Sequence, residues 1–157
     1  MSDDVYLNEL VERCGELGKK KIKEIMSRDV VTIKEDSPFI EFVTDIEMYD
    51  YVAFPVLDEK DEVIGIVSQT DLLKLISFHR HCGTMMLTTE VFLGIPSIRA
   101  IMTTRPITLS PEDTVTEAVQ LMVKYGIQSI PIVEEKRVIG MMVKKDIIHQ
   151  ILSIMGL

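Results

Sequence analysis

The order of apolar and polar positions along the chain predicts a series of short strands and amphipathic helices. Near the N-terminus, apolar side chains recur every three or four residues, which predicts a helix over residues 4–18. Residues 63–67 form a β-branched run broken by one glycine, which is typical of a strand covered on both faces. Apolar residues at helical spacing follow over 72–76, so this strand leads through a polar turn into a helix. The N-terminal helix has an apolar stripe made of Leu7, Leu10, Cys14 and Leu17.

The same order of elements occurs twice in the chain. Pro55 and Pro131 are 76 residues apart, as are the apolar stripes of the helices that precede them. Asp71 and Asp146 are 75 residues apart, because the second charged turn is one residue shorter. Turns tolerate deletions, so the pattern indicates an internal repeat. Each copy is too small to bury its apolar faces well, and we therefore expect the two copies to pack with pseudo-twofold symmetry.

Two polar signals mark the starts of the long helices. Asp36-Ser37-Pro38 combines capping residues with a proline suited to the first turn. Thr114 and Glu117 have the spacing of a capping box. Short strands are predicted shortly before both signals, over residues 30–33 and 107–109.

Ser68, Thr70 and Asp71 lie in the polar turn between strand and helix in the first copy. A helix N-terminus presents unpaired N–H groups and partial positive charge, which suits a phosphate or another anion. A carboxylate beside it suits a sugar diol, because both hydroxyls can donate to it. The same residue types are ordinary helix caps, and only the recurrence of the motif favours a binding site.

Composition narrows the function classes. The chain has 157 residues, 46% of them hydrophobic, which is enough for a substantial core. A net charge of −8 argues against a nucleic-acid backbone as the main partner. Two cysteines without a CxxC pair, an acidic start and no long apolar run predict a cytoplasmic protein that is not inserted in a membrane.

The sequence gives little support for a catalytic site or a metal site. His79, His81 and Cys82 lie close together, but no fourth zinc ligand is evident nearby, so we expect no metal site. No set of nucleophile, base and orienting residue can be assembled around the repeated motifs. The sequence therefore predicts a protein that is not an enzyme and that requires no cofactor.

Taken together, the repeated motifs resemble a tandem pair of cystathionine-β-synthase (CBS) domains, a Bateman module. The motifs that carry the resemblance are IMSRDVVTI with IMTTRPITL, and AFPVLDEKDEVIGIVSQTD with SIPIVEEKRVIGMMVKKD. The resemblance implies an α/β fold (α+β by some schemes) of two β-α-β-β-α repeats, over residues 22–79 and 98–157. Residues 1–21 would form the N-terminal helix and a hinge, and residues 80–97 a connector.

The resemblance also implies two clefts between the repeats that bind an adenosine-containing ligand. In the first cleft, it assigns Asp71 to the ribose diol and Ser68 with Thr70 to the phosphate side. The residues implied to edge the base there are Asp29, Val30, Val31, Tyr51, Ala53, Phe54 and Pro55.

The second cleft departs from the family pattern. Asp146 would hold the ribose, but Val143 stands where the family has a serine or threonine. A lost hydroxyl removes a hydrogen bond worth about 1 kcal/mol, and Lys144 with Lys145 could replace it by charge. The residues implied to edge the base are Arg105, Pro106, Ile107, Ile127, Ser129, Ile130 and Pro131.

These observations together predict a non-catalytic regulatory module that senses AMP, ADP, ATP or S-adenosylmethionine. The expected partners are this small ligand, a second copy in a homodimer and an effector protein that the sequence does not identify. The alternative is an interaction or oligomerisation scaffold whose clefts are unused, with the N-terminal helix mediating assembly.

Overall fold

The computed structural model describes residues 3–73 and 97–157, and it divides the chain into two compact units. One unit, which we call the first-repeat unit, is Val31–Pro106. The second-repeat unit combines Met1–Val30 with Ile107–Leu157. The N-terminal segment of the chain therefore belongs to the same unit as its C-terminal repeat.

Four α-helices and six strands have their full bounds within the described residues, and the chain is also helical over 69–73. The helices are α1 (Asp3–Lys19), α2 (Phe39–Met48), α3 (Val115–Tyr125) and α4 (Lys144–Ile154). The strands are β1 (Ile33–Lys34), β2 (Ala53–Leu57), β3 (Val63–Ser68), β4 (Thr103–Thr104), β5 (Ser129–Glu134) and β6 (Arg137–Val143). Single 3₁₀ turns occupy Ile22–Glu24 and Ile98–Ala100.

The first-repeat unit contains a four-stranded sheet in the order β1-β2-β3-β4. β1 is parallel to β2, whereas β3 is antiparallel to both of its neighbours. Apolar side chains of α2, β2 and β3 form its core, and the Phe39, Phe42 and Phe54 rings meet edge to face. The sheet and its helix are therefore held together by a packed aromatic centre.

The second-repeat unit repeats this plan with less regular edges. β5 and β6 form an antiparallel pair, and single bridges join Leu109 to Ile132 and Ser27 to Met141. These bridges correspond to the β1 and β4 pairings of the other unit, with an offset of 76 residues before the second charged turn and 75 after it. The core draws on α3, α4, β5 and β6 and also includes Leu17 at the end of α1.

Each unit is completed by the first residues of the other repeat. Ile22 and Met26 pack into the core of the second-repeat unit, and Ile98 packs into the core of the first-repeat unit. The backbone bonds are the same in both places: Ile22 N donates to Asp113 O over 2.8 Å, and Ile98 N donates to Ser37 O over 3.3 Å. We call residues 22–27 and 98–104 the exchanged segments.

Two glycines allow the exchanged segments to approach closely. A Cβ atom at Gly140 would lie 2.6 Å from Met26 Sδ and 2.9 Å from the Ser27 carbonyl oxygen. A Cβ atom at Gly65 would lie 2.5 Å from Met102 Sδ and 3.0 Å from the Thr103 carbonyl oxygen. The glycine in each β3-type strand is therefore required by contact with backbone, and not by an unusual φ angle.

The helix starts agree only in part with expectation. Thr114 Oγ1 accepts a hydrogen bond from Glu117 N over 3.3 Å, and the Glu117 carboxylate accepts one from Thr114 N over 2.7 Å, so the predicted capping box is confirmed. At α2, Pro38 itself occupies the N-cap position and no side chain caps the helix, so the predicted cap there was wrong. The strands predicted over 30–33 and 107–109 shrink to β1 and the single bridge at Leu109, since most of both segments lies outside a sheet.

We predict that Gly140→Ala destabilises the protein by about 1–3 kcal/mol, the usual cost of overpacking a close contact. The Met26 side chain can rotate away, but the Ser27 carbonyl oxygen is backbone and cannot. Urea denaturation of the variant beside the parent protein measures the difference. Unchanged stability would show that the exchanged segment does not lie against this strand.

The first exchanged segment is also held by charge. Lys21 and Lys23 both form ion pairs with Glu112, the second over 2.6 Å. Hydrogen bonds from Lys21 and then Lys23 lower the pKa of Glu112 to about 2, and the Glu112 carboxylate raises the pKa of Lys21. All three side chains are about half exposed, so salt screens the interaction.

We expect Glu112→Gln to lower stability in a pH-dependent way. Because folding lowers the carboxyl pKa, the ion pairs stabilise the folded state fully above pH 4.5 and are lost as the pH falls through about 2. The difference in unfolding midpoint between parent and variant should therefore be present at pH 7 and vanish near pH 2. Glu59→Gln, at an exposed turn of the other unit, is the control and should show no such convergence.

Candidate functional site

The candidate site of the first repeat lies where β3 ends and the next helix begins. Asp71 is 4% exposed, and its Oδ2 atom accepts hydrogen bonds from Ser68 N over 2.7 Å and from Ser68 Oγ over 3.3 Å. Asp71 stands three residues after Ser68, so its carboxylate satisfies an N–H group at the start of the helix. Ser68 is half-buried and Thr70 is exposed. The carboxylate and the two hydroxyl residues thus belong to one junction, as the sequence predicts.

The neighbouring strand brings further predicted residues to the same junction. Ala53 pairs directly with Ser68 across β2 and β3. Gln69 N donates to Val52 O over 2.9 Å, and Gln69 Nε2 donates to Tyr51 O over 3.3 Å. Tyr51 and Ala53 are therefore beside the helix start, while Gln69 is a position that sequence reasoning missed. Its signal was available, because the residue stands between two predicted site residues.

Three predicted base contacts, Ala53, Phe54 and Pro55, have buried side chains. The Phe54 ring is completely buried in the core, where it meets the Phe42 and Tyr51 rings edge to face. Pro55 is also buried. The Phe54 side chain therefore belongs to the core of the first-repeat unit.

Tyr51 is part of an aromatic pair that sequence reasoning did not identify. Its ring stacks on the Tyr49 ring, with centroids 5.7 Å apart and planes 2° from parallel. Tyr49 is 38% exposed and Tyr51 is half-buried. Flat, partly exposed rings of this kind can stack on a purine base.

The remaining predicted contacts of this site are divided between the units. Asp29 and Val30 belong to the second-repeat unit, and Val31 belongs to the first-repeat unit. Asp29 is exposed, whereas Val30 and Val31 are half-buried. Their roles towards a ligand remain predictions.

The candidate site of the second repeat has the same backbone frame. Ser129 pairs with Val143 across β5 and β6, and Lys144 N donates to Gln128 O over 2.8 Å, which repeats the bond of Gln69. Asp146 is half-buried at the third position of α4. Among the residues that the structure describes, none donates a hydrogen bond to the Asp146 carboxylate. The two carboxylates therefore occupy equivalent places with different hydrogen bonding.

The side chains around Asp146 also differ in character from those of the first site. Lys144 and Lys145 are exposed on the first turn of α4, where cations face the positive end of the helix. Ile127 stands in the place of Tyr51, so the second site lacks that aromatic ring. Ile130 is completely buried in the core, and Ser129 and Pro131 are buried as well.

The segment between β4 and α3 holds the remaining predicted residues. Arg105 is exposed and has a φ of 50°, a left-handed conformation that is uncommon for residues other than glycine. Pro106 and Ile107 follow it and are half-buried. Arg105 and Pro106 belong to the first-repeat unit, and Ile107 begins the C-terminal part of the second-repeat unit.

The described residues were also compared with the requirements of a metal site and of a membrane-spanning helix. Over 3–73 and 97–157, no group of three or more histidine, cysteine, aspartate or glutamate side chains could hold a metal ion. His79, His81 and Cys82 lie outside the described residues. No helix in the described part of the chain is long and apolar enough to cross a membrane.

Comparison with known proteins agrees with the repeated fold. The family model of the CBS domain matches residues 22–78 and 98–153, and the chain therefore belongs to the CBS domain family as a tandem pair. An uncharacterized protein of Methanocaldococcus jannaschii, MJ1426, is 25% identical over 153 residues, covering 83% of this chain and 90% of that protein. The chain spans only 14% and 61% of two other curated relatives.

Solved structures have the same fold. The CBS domain pair of protein MJ0100, in complex with 5′-methylthioadenosine and S-adenosyl-L-methionine, has a TM-score of 0.71 at 22% identity and covers 86% of this chain and 98% of its own. CBSX2 in complex with AMP has a TM-score of 0.70 at 17% identity, with coverage of 86% and 98%. At these identities the likeness shows the fold alone.

Because the two carboxylates differ in hydrogen bonding, replacing each by alanine should lower the free energy of unfolding by a different amount. We expect Asp71→Ala to destabilise the protein by about 1–2 kcal/mol, because it deprives an N–H group of its cap. Asp146→Ala should cost less than about 1 kcal/mol, the contribution of a carboxylate near a helix N-terminus. Chemical denaturation of both variants measures this, and equal costs would contradict the difference in hydrogen bonding.

Proposed function

We propose that this CBS pair is a non-catalytic regulatory module that binds an adenosine-containing ligand. The ligand would be AMP, ADP, ATP or S-adenosylmethionine, and the module would act as a sensor of energy state or of a metabolite. The observation that carries the proposal is the recurrence of one frame: a strand end, a helix start and a carboxylate at the third helical position. Asp71 and Asp146 occupy that position in the two repeats.

The chemistry of each part of this frame suits one part of the ligand. A carboxylate accepts hydrogen bonds from both hydroxyls of a ribose. Backbone N–H groups at a helix start favour a phosphate. The stacked Tyr49 and Tyr51 rings offer a flat apolar surface to a base at the first site. The complexes of MJ0100 and CBSX2 support the proposal, since their ligands contain adenosine.

The two sites would prefer different ligands. Ser68 supplies a hydroxyl at the first site, and the base would lie near aromatic rings. At the second site Val143 supplies no hydroxyl, but Lys144 and Lys145 add two positive charges at the helix start. Ammonium groups attract phosphates as point charges, so the second site should favour ADP or ATP over S-adenosylmethionine, which is itself cationic.

Ligand binding would act by shifting an equilibrium between conformations of the module. A ligand can shift such an equilibrium only by the difference between its affinities for the two states. We propose that the module works as a cytoplasmic homodimer and passes this shift to an effector protein. Neither role needs a nucleic acid or a membrane.

Calorimetric titration of the purified protein with AMP, ADP, ATP and S-adenosylmethionine tests the proposal. We expect at least one of the four to bind. If none binds at millimolar concentration, the proposed function is wrong. Mass spectrometry of small molecules released from the freshly purified protein would show independently which ligand it carries.

Conservative variants then assign the site. We expect Asp71→Asn to weaken binding at the first site by about 1.5–3 kcal/mol, roughly ten- to 150-fold, because an amide donates where the ribose hydroxyls need an acceptor. The amide oxygen can still accept from Ser68 N, so the helix start is kept. Asp146→Asn is the matched variant for the second site, and a ligand whose affinity neither variant changes would not bind as proposed.

An interaction scaffold is the second candidate function. It is favoured by one observation, the apolar side chains that α1 exposes along its first half. The two candidate functions differ in whether assembly depends on a ligand. A scaffold would assemble with no ligand bound, and the affinity between its copies would be unchanged in the Asp71→Asn and Asp146→Asn variants.

A further inference from the structure

The two ends of α1 differ sharply in burial. Leu17 at the end of the helix is 5% exposed in the core of the second-repeat unit, and Thr116 Oγ1 donates to Gly18 O over 2.8 Å. Leu7 is 57% exposed and Val11 is 63% exposed. The helix is therefore anchored by its last turn, while most apolar side chains of its first three turns are exposed to solvent: Val5, Tyr6, Leu7 and Val11.

These exposed side chains share a face with a glycine. Asp4, Leu7, Val11 and Gly15 follow one another at steps of three, four and four residues, and so lie in one row along α1. A Cβ atom at Gly15 would meet no atom within 4 Å. Glycine inside a helix is less stable than alanine, and no close contact with the described residues explains it here.

We propose that α1 pairs antiparallel with α1 of a second copy of this chain, across a twofold axis at Val11. Val11 is the midpoint of Asp3–Lys19, so such an axis aligns the two helices along their full length. It sets Val11 against its own counterpart and Leu7 against Gly15 of the other copy. The absence of a side chain at Gly15 would then make room for Leu7, as small residues do where helices approach closely.

The charges at the two ends of α1 agree with this register. Asp3 and Asp4 form an acidic first turn, and Lys19 ends the helix with Lys20 following it. An antiparallel pair about Val11 brings the acidic first turn of each helix level with the basic last turn of the other. A parallel pair would place like charges together at both ends, which is unfavourable.

A second copy fits this surface better than an unrelated partner, because the surface is complementary to itself. A twofold interface requires that each residue and its counterpart match in both directions. The row along α1 meets this requirement in shape, through Leu7 and Gly15, and in charge, through Asp3 and Lys19. The inference rests on the homodimer proposed above and names the surface that forms it.

Cysteine cross-linking tests the twofold axis directly. In a Cys14→Ser, Cys82→Ser background, Val11→Cys places two thiols face to face, and diamide should convert most of the protein to a disulfide-linked dimer. Val5→Cys is the matched control, because Val5 is 52% exposed and lies about 120° around the same helix from Val11. Equal cross-linking at the two positions, or none at Val11→Cys, would overturn the proposal.

Gly15→Ala separates pairing from helix stability. In dilute protein, where the dimer dissociates, alanine should raise the thermal midpoint, since it favours the helix and meets no atom of the described residues. At the same time it should reduce the Val11→Cys dimer yield several-fold, because its methyl group fills the space for Leu7. A yield unchanged by Gly15→Ala would refute the seating of Leu7.

Measuring the molecular mass of the protein in solution tests the α1 surface separately from the proposed homodimer and the proposed ligand binding. We expect the parent protein to be dimeric and Leu7→Asp to weaken the dimer at least tenfold, with its circular dichroism unchanged. A parent protein that is monomeric at high micromolar concentration would overturn both the homodimer and this surface. A dimer that neither cross-links at Val11→Cys nor responds to Leu7→Asp would overturn the surface alone, and calorimetry with the four adenosine ligands would be unaffected.

Discussion

The structure depends on the pairing of each exchanged segment with the sheet of the other repeat. Ser27 and Met141 exchange two backbone hydrogen bonds, of 2.9 and 2.8 Å, over the strand that contains Gly140. Thr103 pairs with Ile66 in the same way beside Gly65. Ile22 and Ile98, at the start of the same segments, are completely buried in the two cores. Neither repeat, taken by its limits in the sequence, therefore supplies all of its own core.

The same arrangement accounts for the two candidate sites. In each repeat the strand that receives the exchanged segment continues directly into the helix that carries the site carboxylate. At the first site this carboxylate already holds the helix start through Ser68. A ribose that binds Asp71 would act on a group that stabilises the fold, which links occupancy of the site to the stability of the helix that follows. At Asp146 that link is weaker, because the described residues provide no equivalent bond.

Much of the fold could be predicted from the sequence, because local periodicity and spacing determine it. The helical stripes, the capping box at Thr114 and the repeat itself are all expressed by residues close together in the chain. The exchange could not be predicted in this way, since Ile22 and Met26 would look the same whichever sheet they joined.

The candidate site shows a similar division. Sequence spacing brought Ser68 and Asp71 together correctly, since both belong to one turn. It did not reveal that the Phe54 and Ile130 side chains are completely buried in the two cores, because burial depends on residues from distant elements. Nor did it identify the stacking of Tyr49 on Tyr51, which requires a helix end and a strand start to meet.

The exchange of these segments determines where the chain can be divided into fragments. A fragment cut at the sequence limits of either repeat would carry an apolar segment with no sheet to receive it. Its own sheet would meanwhile expose the strand edge on which Ser27 or Thr103 normally lies, and open edges of this kind promote aggregation. Self-sufficient halves would follow the unit limits at Val30 and Pro106 instead, so that one half is a continuous stretch of chain and the other must be assembled from its two ends.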